Sequence, residues 1–269
     1  MPLRSISNLE EIFDFQNRAK LLGIDYLSNN YLFADSFLEL IRDKKLFGYF
    51  QENATLILNR ATETLPKLFY YAEQANSLDC AIKRSKLMEE VLVEIRNSDF
   101  GPVHEIFLKN GFSVYEVLIE YYHFGNITKV ITNEFVVSLA QRSDLGSIQF
   151  LIETNFDPLI DLIPKESEIN TYIDGGNVLV ARTEKSSQSI VGLCISFPAG
   201  NLTKIHYLVV ANEVRGKGIA LKLLSALHVN SRGRIQLWVK ESNIGAVAFY
   251  ARVGFKVGEN KRYFLRGKL

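Results

Sequence analysis

The spacing of apolar positions divides the chain into alternating helices and strands. From Ser7 to Arg42 the pattern is helical: Leu9, Ile12, Phe13 and Phe15, then Phe33, Phe37, Leu38 and Ile41, recur with charges between them. A strand-rich segment follows, with Lys45–Gln51 and Ala54–Arg60 flanking Glu52-Asn53 as the turn of a hairpin. Leu68–Glu73 reads as a further strand, Leu78–Glu90 as a helix and Val91–Arg96 as a strand. Val103–Asn110 reads as a helix stopped by Gly111, ahead of the β-rich run Phe112–His123. The second half runs in the same order. Asp157–Ile163 predicts a helix, Glu168–Ile173 a strand and Gly175-Gly176 a turn. Strands follow at Val178–Arg182, Ile190–Phe197 and Lys204–Val210, then a glycine-bearing loop and a helix from Gly218 to His228. A strand Ile235–Val239, a helix Ala246–Arg252 closed by Gly254, and β structure around Tyr263–Leu265 complete the chain. This alternation predicts a mixed α/β (α+β) architecture of sheets layered with helices.

The two halves match in three places, in the same order. Val91–Arg96 resembles Ile235–Lys240, Ile106–Phe112 resembles Phe249–Phe255, and Leu56–Arg60 resembles Val178–Arg182. The reading is a duplicated unit, with a boundary between residues 133 and 134. Between the upstream and downstream matches the first half is shorter, so it lacks a piece that the second half has.

Composition narrows the class. The chain has 269 residues with 47% apolar and 23% charged, which excludes global disorder. No apolar run reaches the roughly 18–20 residues that a membrane helix needs. Glu10, Glu11 and Asp14 interrupt the place where a signal peptide has its apolar core. Two cysteines, Cys80 and Cys194, make no disulfide framework and fit a reducing compartment, so a cytoplasmic location is expected. The four histidines (His104, His123, His206, His228) and the cysteines show no metal-ligand spacing. The net charge of +1 conceals an asymmetry: residues 200–269 contain far more Lys and Arg than Asp and Glu. Such an excess is what a solvated face looks like, and also what a polyanionic ligand requires. The basic tail, with Lys256, Lys261, Arg262, Tyr263, Phe264 and Arg266, alternates as a terminal strand would, which argues against nucleic-acid binding.

The piece that the first half lacks is Val209-Val210-Ala211-Asn212-Glu213-Val214-Arg215-Gly216-Lys217-Gly218-Ile219-Ala220. It runs from a strand through a loop with two glycines and two cations into a helix. A helix start exposes unpaired N–H groups and partial positive charge, and glycine lets the backbone approach an anion. The loop has neither the G-x-G-x-x-G nor the G-x-x-x-x-G-K pattern. It resembles instead the R-x-x-G-x-A acetyl-CoA loop of the GNAT N-acetyltransferase superfamily, through Arg215, Gly218 and Ala220. Asn243, Ala246, Phe249, Tyr250, Gly254 and Phe255 resemble that family's second signature, N-x-x-A-x-x-F-Y-x-x-x-G-F. The resemblance covers roughly residues 134–269.

The resemblance implies two tandem GNAT-like domains, each a mixed, mostly antiparallel sheet flanked by helices: 1–133 degenerate and non-catalytic, 134–269 catalytic. It implies direct acetyl transfer from acetyl-CoA to an amine of a small molecule or peptide, with no covalent enzyme intermediate. The amides of Arg215, Gly216, Lys217, Gly218, Ile219 and Ala220 would hold the pyrophosphate. The strand Leu208-Val209-Val210 would pair with pantetheine, and the Val210 amide would polarise the thioester carbonyl. Asn243 would bond the pantetheine arm, with Ala246 and Phe249 beside it. Tyr250 would protonate the departing thiolate; as a plain core tyrosine it would pack equally well. His206 is the candidate base, since its ordinary pKa near 6.5 suits that task; a surface role, Glu241, Tyr207 or a water chain are its competitors.

The first half carries neither signature. Its connection from Leu68 to Val91 has no glycine, Phe107 stands where Tyr250 does, and Asp99 stands where Asn243 does. A different class of function, a CoA-binding sensor or scaffold without turnover, is the alternative. An intact Tyr250 and Asn243 speak for the enzyme.

Overall fold

In the computed structural model the described residues are 3–23, 25–30, 32, 34–61, 65–85, 89–96, 101–125, 127, 134–183, 186–230 and 233–268. They gather into two compact units that do not follow the chain in sequence: Met1–Leu118 with Asn260–Leu269, and Ile119–Glu259. The sequence reading had placed its boundary between 133 and 134, with each half continuous. No helix among the described residues is long and apolar enough to cross a membrane.

In chain order the first unit comprises β1 (Arg4–Ser5), α1 (Leu9–Leu22), β2 (Leu27–Ser28), α2 (Ala34–Arg42), β3 (Leu46–Phe50), β4 (Ala54–Asn59) and β5 (Lys67–Ala72). It continues with α3 (Ala75–Ser85), β6 (Glu90–Arg96), α4 (Pro102–Lys109) and most of β7 (Ser113–His123). Asn8 caps α1 by accepting the Glu11 N–H at 3.0 Å, and Gly23 closes that helix with φ +64°. The second unit adds β8 (Phe135–Leu139), α5 (Leu145–Asn155), α6 (Glu166–Asp174), β9 (Val178–Thr183), β10 (Ser186–Ala199) and β11 (Leu202–Val210). Then come α7 (Ile219–Asn230), β12 (Arg234–Lys240), α8 (Ile244–Val253) and β13 (Lys256–Lys268). The last strand leaves the second unit and pairs with β6 in the first, from Arg262↔Arg96 to Lys268↔Glu90.

Each unit has a mixed sheet with a core on either face. In the first, β3, β4 and β5 are antiparallel and β6 lies parallel to β5. One face packs α3 and α4 through Leu78, Ala81, Val103 and Phe107, the other α1 and α2 through Ile12, Phe15 and Phe37. In the second, β8, β9, β10 and β11 are antiparallel and β12 is parallel to β11. Ile148, Leu151 and Ile169 cover one face, and Ile219, Leu223, Leu224, Leu227 and Tyr250 the other.

Three sequence expectations change. Glu168–Ile173 is part of helix α6, because Glu168 accepts the Lys165 N–H at 2.8 Å and starts a helix rather than a strand. Asp157–Ile163 makes one turn and no helix: the Ile160 and Asp161 N–H groups both bond to the Asp157 carbonyl, and Pro164 disfavours helical backbone at Ile163 before it. The Leu78–Glu90 helix ends at Ser85, and Glu90 begins β6. The duplication holds at β6 with β12 and at α4 with α8, but Leu56–Asn59 lies on β4, the third strand in order from β1, whereas Val178–Arg182 lies on β9, the second from β8. The positional counterpart of β9 is β3.

Candidate active site

Strands β11 and β12 start as a parallel pair and then separate. Their pairing covers Leu202↔Arg234, Thr203↔Ile235 and Lys204↔Gln236, although β11 runs on to Val210 and β12 to Lys240. Past Lys204, no described strand pairs with this edge of β11. The Ala211 N–H bonds to Val191 on β10, so strand alternation turns the backbone of Val210 and Leu208 the other way, into the gap. Val209 faces β10, and its side chain is buried with α5.

A bulge sets which side chains reach which face. Ile195 pairs with Tyr207 but Ser196 pairs with Ile205, which leaves His206 as the extra residue on β11. The slip flips the alternation. Ile205 packs with α7 and α8, while Tyr207 and Val209, at the same parity, pack against α5 and α6. Leu208 and Val210 thereby lean on the α7–α8 face. The His206 ring is exposed and lies edge-on to Phe197 at 4.8 Å, in a row with Tyr172 and Tyr207. Tyr250 lies with the opposite cluster, so the structure does not bring these two candidates together.

Beyond Val210 the chain makes a short turn at Asn212–Val214 and enters α7 through Gly216 (φ +83°) and Gly218 (φ +80°). Both angles lie in the left-handed region that glycine alone visits freely. The Lys222 N–H bonds to the Gly218 carbonyl, so the helix begins there and its first N–H groups have no intrahelical acceptor. Ile219, Leu223, Leu224 and Leu227 are buried as the helical spacing required. At Gly192 a Cβ would meet Ile219 Cγ2 and the Val209 carbonyl, both at 3.1 Å, so glycine there admits α7 against β10 and β11. Arg215 is turned inward to the loop: Nε donates to the Val210 carbonyl at 3.0 Å and a terminal nitrogen to Asn155 Oδ1 at 2.8 Å. Lys217 is exposed, whereas Lys222 donates to the Phe135 carbonyl.

On the far side of the gap, Asn243 caps α8 by accepting the Ala246 N–H at 3.0 Å, which uses its oxygen and leaves its amide NH2 for another acceptor. Ala246 and Phe249 are partly buried along the α8 face. Tyr250 is 7% exposed, between Phe255 at 5.2 Å and Tyr121 at 6.3 Å. Burial, and secondarily the neighbouring Cys194, push its phenol well above the ordinary value, so it is neutral throughout the physiological range. Burial also raises the Cys194 thiol to about 12, which removes it as a nucleophile. Tyr207 donates its hydroxyl to the Leu162 carbonyl. Glu241 sits in the turn after β12. Asp99 and the His228 side chain lie outside the described residues.

The sequence reading missed a connection across this site. Between α5 and α6, Leu162 takes the Tyr207 hydroxyl from β11 while Asp161 and Asp157 meet Lys240 of β12, at 3.2 and 4.0 Å. No motif marks it, because its partners are far away in the chain.

Comparison with known proteins agrees with this geometry. Residues 174–257 match the family model of the acetyltransferase (GNAT) domain. An uncharacterized N-acetyltransferase of Methanocaldococcus jannaschii is 36% identical over 69 residues, which are 24% of this chain and 30% of that protein, so the likeness reaches under a third of the relative. Among solved structures, a GCN5-related N-acetyltransferase from Sphaerobacter thermophilus is 15% identical, covering 99% of this chain and 95% of its own, with a TM-score of 0.59. A tandem GNAT protein from the clavulanic acid biosynthesis pathway is 10% identical over 99% and 98%, with a TM-score of 0.53. At such identities these structures speak for the fold. The acetyltransferase match contains β11, the glycine loop, α7, β12 and α8, the elements that build the gap. Among the described residues no cluster of His, Cys, Asp or Glu is arranged to hold a metal.

Proposed function

We propose that the second unit is an acetyl-CoA-dependent N-acetyltransferase that transfers its acetyl group directly to an amine of a small molecule or peptide. The observation that supports this most is the parting of β11 from β12 beside a glycine loop that opens a helix. Acetyl-CoA fits the chemistry of the donor set: unpaired helix-start N–H groups suit a pyrophosphate, and an exposed strand edge suits an amide-bearing arm. When bound, acetyl-CoA supplies a thioester whose acyl carbon is the electrophile.

The protein's own groups then have these tasks. The amides of residues 216–220 bind the anion, with Lys217 adding charge; Arg215, whose own N–H bonds to the Asn212 carbonyl at 3.3 Å, shapes the loop. The backbone of Leu208 and Val210 orients the ligand along the strand. The Val210 N–H donates toward the acyl oxygen as negative charge grows there. The Asn243 NH2 donates to the same arm, and Ala246 and Phe249 wall it. Tyr250 holds a proton until sulfur departs and delivers it there; its raised pKa keeps it in the acid form. His206 accepts the amine proton from the other face of the sheet, so deprotonation and protonation run from opposite sides. In this reading the first unit is non-catalytic, because Phe107 has no proton to give.

The test is to mix the full chain with acetyl-CoA and a panel of amines and to follow free thiol. Amine-dependent release supports the assignment. Tight binding of acetyl-CoA with no release across the panel would replace it with a sensor that does not turn over.

A further inference from the structure

The first unit parts its sheet as the second does. Strands β5 and β6 pair only at Lys67↔Leu92 and Leu68↔Val93, although β5 runs to Ala72 and β6 to Arg96. Here the gap is filled. Strand β2 lies antiparallel along the freed edge of β5, with Leu27 opposite Ala72 and Ser28 opposite Tyr71. The next residue, Asn29, is 4% exposed. Its NH2 donates to the Leu68 carbonyl on β5 and to the Glu94 carbonyl on β6, both at 3.0 Å. Its Oδ1 accepts the Tyr70 N–H at 2.8 Å.

One side chain thus spans the two separating strands and satisfies three buried backbone groups, using all the donors of its amide. Orphaned buried groups of this kind carry their full desolvation penalty, so displacing Asn29 without replacing its bonds is unfavourable. The space left beside Asn29, Lys67 and Phe264 is about 10 Å³, room for one water at most.

The duplication makes the comparison direct. Segment 23–33 joins the first two helices of its unit, as segment 156–165 does in the other. The second of these reaches β11 and β12 through the Tyr207–Leu162 hydrogen bond, the edge-on Phe156–Tyr207 ring pair and the Lys240 ion pairs, and contributes no strand to the gap among the described residues. Two further features separate the units. The register of β4 on β5 is unbroken, without the slip at His206, and no glycine precedes α3.

We infer that Leu27–Asn30 is a built-in occupant of the first unit's cleft, held where a ligand would pair with β5, so that each chain offers one cofactor cleft, between β11 and β12. The inference rests on the cofactor reading above only for its calorimetric probe. Coenzyme A titrated into the full chain should bind at one site, and Gly218→Val should weaken that binding about 5- to 150-fold. A second site, or binding whose affinity Gly218→Val leaves unchanged, overturns the inference. Amide exchange judges it without coenzyme A, and so separates its failure from failure of the cofactor reading. In the unliganded wild-type chain the Tyr70 N–H should exchange as slowly as the paired amides of β6, and Asn29→Ala should speed it at least about tenfold while α7 is unaffected. Tyr70 exchange at the rate of an exposed loop, or unmoved by Asn29→Ala, overturns it. Should Asn29→Ala not fold, the wild-type exchange rate alone decides.

Discussion

Tyr250 and Phe107 close two copies of the same helix ending. The Phe255 N–H bonds to the Tyr250 carbonyl at 3.0 Å, and the Phe112 N–H to the Phe107 carbonyl at 3.0 Å. Ring centroids lie 5.2 Å apart at 68° in one copy and 5.0 Å apart at 71° in the other. Packing is therefore the same with or without the hydroxyl, and the hydroxyl is what the proposed chemistry needs. Tyr250→Phe should lower turnover about 100-fold, within the range for a lost general acid, with coenzyme A affinity unchanged in a parallel titration. Wild-type turnover in that variant would remove Tyr250 from the mechanism. A second prediction concerns burial itself. The Cys194 thiol and the Tyr71 phenol are both raised by burial to about 12, Tyr71 against an opposing hydrogen bond from Asn30. Each holds its proton more tightly folded than unfolded, so the unfolded chain ionises first. The stability they contribute is complete below about pH 9 and is lost as pH climbs toward 12, by up to about 1.4 kcal/mol per pH unit for each group once its unfolded form has ionised. Urea midpoints measured from pH 7 to 11 should fall above pH 9; a flat profile contradicts the assignment.

At the scale of elements, helix faces and the glycine loop were legible in the sequence. The apolar row Ile219, Leu223, Leu224 and Leu227 is buried as its spacing required, and Gly254 closes α8 with φ +99°. These are short-range properties. Gly216 and Gly218 were read as sites of close approach, and their positive φ values supply the reason for glycine. Gly218→Val should therefore strain the start of α7 and weaken coenzyme A binding by about 1–3 kcal/mol, roughly 5- to 150-fold in Kd by calorimetry. Unchanged affinity would detach the loop from the ligand. The bulge at His206 was not legible, since Leu202–His206 alternates as a regular strand would and Tyr207–Val210 is apolar throughout, so neither side marks a slip. Only pairing with β10 shows the slip, and the slip sends Ile205 and Tyr207 to opposite cores. The turn at Asp157–Ile163 was hidden for a related reason: apolar spacing there suggests a helix, but it stops after one turn ahead of Pro164 and the segment is fixed by Tyr207 and Lys240.

At the scale of the whole molecule, the units exchange chain. The last strand runs from the second unit into the first and contributes Phe264 and Leu265, 2% and 0% exposed, to the first unit's interior. Burying two such side chains is worth about 1.5–3 kcal/mol each, a large share of a domain's net stability. A chain ending at Glu259 should lose protection at β6, Val91–Arg96, in amide exchange, while α7 stays protected. Full protection of β6 in that truncated chain would show that β13 is dispensable there. The sequence by itself determined the helix and strand periodicity, the duplication, the glycine loop and the second signature, because each rests on residues close together in the chain. Tertiary structure decided which strand edges stay unpaired among the described residues, that Asn29 fills one gap while no described strand enters the other, and where the final strand docks. Those outcomes depend on which distant segments compete for the same backbone hydrogen bonds, and local periodicity carries no record of that competition.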